Sequence, residues 1–215
     1  MNLNHKEKRI QIKEYKNIID ESEKLQIISL IKEGNPESIL AQLSNINISK
    51  YLDILIRSKK LYLFTCILEN EIIGYAILAE KPKYLINEFK DIKFRILYDL
   101  ISNLNVLTIL DIIISSLRID LIKIERKNRK VLNDNLNLNL IAIKDSFRSK
   151  GYGKLFLDDL IKKFSTNKNF NSMCCETYSE KAESFYIKKF DFDTIGKKLR
   201  TKGLLTVLVK KFDLE

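Results

Sequence analysis

The stretch IAIKDSFRSKGYGKLFLDDLIKKF, from Ile141 to Phe164, constrains the chain more than any other. The apolar run Ile141-Ala142-Ile143 has the character of a buried strand end. A basic turn with Gly151 and Gly153 follows. From about Tyr152, apolar residues recur at helical spacing: Phe156, Leu160 and Phe164 on one face, beside Leu157 and Ile161. Lys154, Asp158, Asp159, Lys162 and Lys163 fall mostly on the other face. A helix that starts this abruptly leaves its first backbone N–H groups unpaired. The helix dipole adds positive potential there, and glycine removes the Cβ that would hold an anion off the backbone. The corner therefore suits a phosphate or pyrophosphate.

Two common phosphate motifs do not fit. No Gly-Lys-Ser/Thr follows four residues after a glycine, and no third small residue stands where a dinucleotide fingerprint needs it after Gly153. Taken alone, the turn also reads as an ordinary strand-to-helix connection.

The flanking sequence supplies a sheet. Arg9 to Tyr15 alternates weakly, as a first strand would. Asp20-Glu21-Ser22-Glu23 precedes Leu25, Ile27, Ile28, Leu30 and Ile31, which predicts a helix ending at Gly34. Pro36 to Leu43 and Ser49 to Arg57 read as two more short helices. Leu61 to Leu68 and Ile72 to Ala79 read as a hairpin turning at Glu69-Asn70-Glu71. Between Lys81 and Asp134, apolar stripes (Ile96, Leu97, Leu100, Ile101, Leu104; then Leu107, Leu110, Ile113, Ile114, Leu117) predict two helices, followed by a polar linker from Glu125 to Asn135. Ordinary core packing explains such stripes, and a dimer surface, a substrate lid or a membrane-surface contact would also use them. Leu136 to Ile143 and Ser172 to Tyr178 read as strands, and Glu180 to Lys189 as a helix. Phe192 to Ile195 and Leu204 to Phe212 read as closing strands around a lysine-rich turn.

Composition excludes more than it selects. The net charge of +10 is compatible with nucleic acid, an anionic membrane or a polyanionic small molecule. The abundance of Ile, Lys and Asn accounts for it equally well as a coding bias. There is no basic motif interleaved with aromatics and no helix-turn-helix signature, so nucleic acid is not expected. Cys66, Cys174 and Cys175 fit neither a disulfide framework nor zinc spacing, and His5 is the only histidine, so no metal is expected. The first residues lack the apolar core of a signal peptide, and Leu104 to Leu117 is too short to span a bilayer. The expectation is a cytoplasmic protein without a transmembrane segment, folded as a single domain over 1–215.

Arg148-Ser149-Lys150-Gly151-Tyr152-Gly153 resembles the (Gln/Arg)-x-x-Gly-x-(Gly/Ala) acetyl-CoA signature of the GNAT N-acetyltransferase superfamily. Ala182-Glu183-Ser184-Phe185-Tyr186 resembles that family's Ala-x-x-Phe-Tyr helix, and the hairpin with Gly74-Tyr75-Ala76 its second and third strands. The closing strand ending Val209-Lys210-Lys211-Phe212 fits as well. The resemblance covers most of the chain except 81–135. Three positions depart from the pattern: Lys144-Asp145 stands where Asp-Pro is frequent, Ser179 replaces a frequent Asn, and Phe190-Asp191-Phe192 replaces Gly-Phe.

The resemblance implies an α+β (mixed α/β) fold: a mostly antiparallel twisted sheet with helices on both faces, here with a helical insertion between the third and fourth strands, about 81–135. It implies acetyl-CoA as co-substrate, bound where Leu136–Ile143 and Ser172–Tyr178 splay apart. Ile141, Ala142 and Ile143 would pair their backbone with pantetheine. The amides from Ser149 through Lys150, Gly151, Tyr152 and Gly153 to Lys154 would hold the pyrophosphate, with Arg148 and Lys150 adding charge. Tyr186 would be the general acid. The base is open among Glu176, Tyr178 and a water relay. The acceptor would be a primary amine of a small molecule or protein. The insert resembles those of members encoded with cell-surface polysaccharide genes, which points to an amino sugar. A non-catalytic CoA-binding module and a homodimer are the other readings left open.

Overall fold

The computed structural model describes residues 9–88, 93–102, 106–116, 123–125, 128 and 135–212. His5 and most of the linker expected over 125–135 lie outside the described residues.

Eight strands form one sheet, and helices cover both of its faces. In chain order the first elements are β1 (Gln11–Tyr15), α1 (Glu21–Gly34), α2 (Asn45–Arg57), β2 (Leu61–Leu68) and β3 (Glu71–Ala79). The insert contributes α3 (Pro82–Glu88), α4 (Lys93–Ser102), α5 (Val106–Ser116) and β4 (Lys123–Ile124). The remainder is β5 (Leu136–Ile143), α6 (Tyr152–Ser165), β6 (Ser172–Thr177), α7 (Glu180–Phe190), β7 (Asp193–Arg200) and β8 (Gly203–Lys211). The order across the sheet is β1-β2-β3-β5-β6-β8-β7-β4. Every neighbouring pair is antiparallel except β5 and β6.

Local chemistry sets most boundaries. Asp20 caps α1 by accepting from the Ser22 N–H, Ser44 caps α2 through Asn47, and Ser179 caps α7 through Ala182. Glu69 and Asn70, both at positive φ, turn β2 into β3. The last turn of α7 closes on Asp191, also at positive φ. Glycine is the usual residue there, and Asp191 fills that place in the Phe190-Asp191-Phe192 junction.

The layers follow strand parity. Tyr15, Leu63, Tyr75, Ile77 and Ala142 point to the face covered by α1, α2 and the insert helices. Phe64, Ile73, Ala76, Leu138, Ile143, Met173 and Cys175 point to the face of α6 and α7.

Four elements differ from the sequence reading. Pro36 to Leu43 forms turns and a 3₁₀ turn over Leu40–Gln42 rather than a helix. Among the described residues the insert has an extra helix ahead of the two expected, because Pro82 opens one. Lys123–Ile124, just ahead of the linker, adds an edge strand to β7. The strand expected over Phe192–Ile195 runs on to Arg200, because its long pairing with β8 outweighs the lysines.

Candidate active site

The site begins with one extra residue. Between Ile77 and Leu78 the pairing of β3 with β5 shifts, so that Leu138 and Leu140 face successive partners and Asn139 is left over as a bulge. A bulge bends its strand and increases the twist. Ahead of it, β5 runs parallel to β6 over Leu136–Leu138. Beyond it that pairing ends, while β6 continues along β8 through Glu176 and Thr177. The two strands splay, and a gap opens beside Asn139–Ile143.

Hydrogen-bond parity decides which groups face the gap. Lys144 N–H donates to the Ile73 carbonyl, and Gly74 lies opposite Ile143. In an antiparallel ladder this directs the backbone of Ala142 toward β3 and that of Ile141 and Ile143 away from it. Ala142 therefore spends its backbone on Tyr75. Of the three residues assigned to pantetheine by sequence, two present backbone groups to the gap. Their carbonyls already accept side-chain hydrogen bonds: Asn35 Nδ2 lies 3.5 Å from the Ile141 oxygen, and Arg148 Nε donates to Ile143 at 2.9 Å. Among the described residues, the N–H groups of Ile141 and Ile143 have no strand partner on that side.

The basic turn closes the end of the gap. A short 3₁₀ turn, Asp145–Phe147, leads from β5. Ser149 (φ 61°) and Gly151 (φ 87°) are both left-handed, and Gly151 caps α6. The Gly151 carbonyl accepts from both Lys154 and Leu155. Among the described residues, the N–H groups of Ser149, Lys150, Gly151, Tyr152 and Gly153 donate to nothing. A Cβ on Gly151 would meet nothing within 4 Å, and one on Gly153 would lie 3.6 Å from Ile143 Cγ1. The amides are thus bare and adjoin the last residue of the splayed strand, as a diphosphate at the end of a pantetheine channel would require.

The basic side chains have local tasks. Arg148 holds the Ile143 carbonyl and pairs with Asp145 at 2.9 Å. Lys150 lies over the Phe147 ring, which also meets Tyr152 edge-on. Lys154 pairs with Asp158 at 2.6 Å.

Tyr186 projects from α7 into the aromatic cluster on the α6/α7 side and is 7% exposed, with Phe192 centred 5.3 Å away. Burial, and secondarily the neighbouring Cys175 thiol, holds its phenol well above the ordinary value. It stays protonated at neutral pH and is available as a donor. The cysteines are buried, and burial pushes Cys66 and Cys174 up to about 12 and Cys175 well above its usual value. None of them is a thiolate nucleophile at neutral pH.

Glu176 is on the opposite side of the sheet, with Cys174, and is held in an ion pair by Lys198 of β7 at 2.5 Å. Tyr178, just past β6, is pushed up to about 12 by burial first and by Asp111 next, with Glu176 and Glu37 adding to the effect and Arg200 opposing it. A phenol held that high cannot serve as a base near neutrality. Sequence reasoning missed the surroundings of this face. Asn35, just past the helix end predicted at Gly34, donates to the Tyr75 hydroxyl at 2.8 Å. Asp111 of α5 accepts from the Thr201 N–H at 2.7 Å and from its hydroxyl at 3.0 Å, which fixes the insert to the β7–β8 turn. No local motif marks such long-range pairs.

No protein-family model matches the chain, and no curated protein matches it by sequence. Solved structures match by shape. The ribosomal-protein-S18-alanine N-acetyltransferase of Escherichia coli superposes with a TM-score of 0.57 at 9% identity, covering 96% of either chain. A GNAT-family acetyltransferase from Streptococcus pneumoniae gives 0.55 at 10% identity, covering 95% of this chain and all of its own (100%). A mosquito arylalkylamine N-acetyltransferase-like protein gives 0.57 at 12% identity, covering 94% and 100%. The chain has the mixed α+β fold of the GNAT acetyltransferases. Strand β4 and helices α3 to α5 come from the stretch between β3 and β5.

Proposed function

We propose that the protein is an N-acetyltransferase that moves an acetyl group from acetyl-CoA to a primary amine. One observation carries this reading: a bulged strand parts from its parallel neighbour and runs into a turn whose five consecutive amides, Ser149 to Gly153, are unpaired. Ile141 and Ile143 N–H groups would meet the pantetheine arm, and the amides of the turn would take the diphosphate. An amine with a pKa near 10 must lose its proton before or during attack on the thioester carbon. A backbone N–H of the splayed strand nearer the bulge than Ile143 is the donor for the oxyanion, and carbon–sulfur cleavage then releases a thiolate. Tyr186, kept protonated by its surroundings, donates a hydrogen bond to that sulfur. Glu176 is bound to Lys198, so water carries the amine's proton out along the polar face that holds Glu37, Glu176 and Tyr178.

The acceptor enters from the side of α1, α2 and the insert, because α6 and α7 close the other. An amino sugar, nucleotide-linked and destined for cell-surface polysaccharide, is the acceptor class to which the insert's resemblance points. Among the described residues no helix is long and apolar enough to cross a membrane, and we assign the activity to the cytoplasm, where acetyl-CoA is made. Calorimetry with CoA, followed by thiol release from acetyl-CoA over a panel of nucleotide amino sugars, polyamines, arylalkylamines and alanyl peptides, tests the reading. Binding of CoA and turnover with one amine class are expected. A chain that fails to bind CoA is not an acetyltransferase, and binding without turnover on any amine would make it a CoA-holding module.

A further inference from the structure

Helices α4 and α5 carry two apolar stripes each. One side packs inward: Leu100 is buried, and Ile96, Ile109 and Ile112 lie against the α1/α2 core. The other side faces outward. On α4 it consists of Phe94, Leu97, Tyr98 and Ile101, and on α5 of Val106, Leu107, Leu110 and Ile113. Phe94 and Tyr98 are 73% and 72% exposed, and Ile46 at the start of α2 extends the patch with 68%. Phe94 and Tyr98 line the same groove as Ile46 and Asn47, together with Lys50 and Arg95. Nine large side chains at such exposures present roughly 1,000 Å², above the few hundred that monomers usually leave open and above the ~800 Å² per partner of a standard interface.

Charge identifies the occupant. The chain as a whole carries +10, yet α4 and α5 hold only two cations, Lys93 and Arg95, both in the first turn of α4. The two acids of these helices are turned inward. Asp99 accepts from the Ser44 N–H and hydroxyl and from Asn47, and Asp111 is held by Thr201. An interfacial helix that lies on anionic lipid has a polar face rich in Lys and Arg along its length, and this hairpin has only Lys93 and Arg95 at one end. Two strongly basic copies repel each other least where cations are sparse, and beyond Lys50 and Arg95 at the groove the outer stripes of α4 and α5 carry none. Paired stripes on two adjacent helices are also half of a four-helix arrangement.

We propose that the protein forms a two-fold dimer in which the outer faces of α4 and α5 pack against their counterparts in a second copy. The assignment does not depend on the acetyl-transfer reading. It is tested by sedimentation of the full chain over a concentration series. The parent sediments as a dimer at about 100 μM and below. The double variant Leu97→Lys/Leu110→Lys raises the dissociation constant at least about 100-fold, with an unchanged far-UV dichroism spectrum, since both residues are already exposed. Phe94→Ser/Tyr98→Ser, which removes area without adding charge, moves it in the same direction. Leu25→Lys, on the exposed side of α1, leaves the dimer intact. A parent that stays monomeric, double variants that dimerise as tightly as the parent, or a monomer that instead co-sediments with phosphatidylglycerol vesicles would each overturn the proposal.

Discussion

Gly34 at the end of α1 lies against Ala142 on the splayed strand: a Cβ built on Gly34 would stand 2.5 Å from the Ala142 Cβ and 3.9 Å from the Tyr75 ring. The missing side chain lets α1 lie flat on β5, which brings Asn35 to the Tyr75 hydroxyl and the Ile141 carbonyl. In an open helix, Gly→Ala gains about 1 kcal/mol. Here the added methyl must displace packed atoms, at a cost of about 1–3 kcal/mol. Gly34→Ala should therefore lower the thermal midpoint. Ala142→Gly added to it should restore part of the loss, a non-additivity that calorimetric scans of the two singles and the double would read directly.

At Gly151 the strain is conformational. Its φ of 87° favours glycine, although a Cβ there would meet nothing within 4 Å. Gly151→Asp should weaken CoA binding by at least tenfold, through backbone strain of about 1–2 kcal/mol and a carboxylate set where the diphosphate belongs. Gly203 in the β7–β8 turn has the same left-handed strain (φ 119°) with no ligand beside it. Gly203→Asp should cost stability and leave CoA affinity unchanged, so titration of the pair separates the phosphate site from strain alone.

Tyr186→Phe keeps the ring among Phe185 and Phe192 and removes the hydroxyl. Turnover should fall at least about tenfold with CoA affinity unchanged, as for a group that acts in the transition state. Steady-state kinetics beside CoA calorimetry would detect it. Equal turnover would leave Tyr186 as a packing residue.

Asp99 ties α4 to the start of α2. Burial pushes its carboxyl up, but hydrogen bonds from Asn47 and from the Ser44 N–H and hydroxyl, with Lys32 nearby, outweigh burial and hold it below the ordinary value. A depressed carboxyl contributes stability above its unfolded pKa of about 3.9 and loses it as pH falls through the lower folded value. Asp99→Ala should thus destabilise the protein by about 1.5–3 kcal/mol at pH 7. The gap between variant and parent should close below about pH 4, as read by denaturant titration at a series of pH values.

The sequence by itself determined most of the elements and marked the glycine-bearing basic turn between a strand and a helix. Leu61–Leu68 and Leu136–Ile143 begin and end where apolar runs meet turn residues, and α1 and α6 where caps or glycines stand, because these signals act within a few residues of one another. Tertiary structure decided the rest. The bulge at Asn139 exists only through pairing with Ile77 and Leu78, and that bulge, not the apolar run, turns the N–H groups of Ile141 and Ile143 into the gap. The same holds for Glu176, a strand carboxylate in sequence that Lys198 neutralises across β8, and for Asp111, which reaches the turn at Thr201. Local free energies are written in neighbouring residues. Which backbone groups stay unpaired, and which charges are already spent, depends on segments that meet only after the sheet has closed.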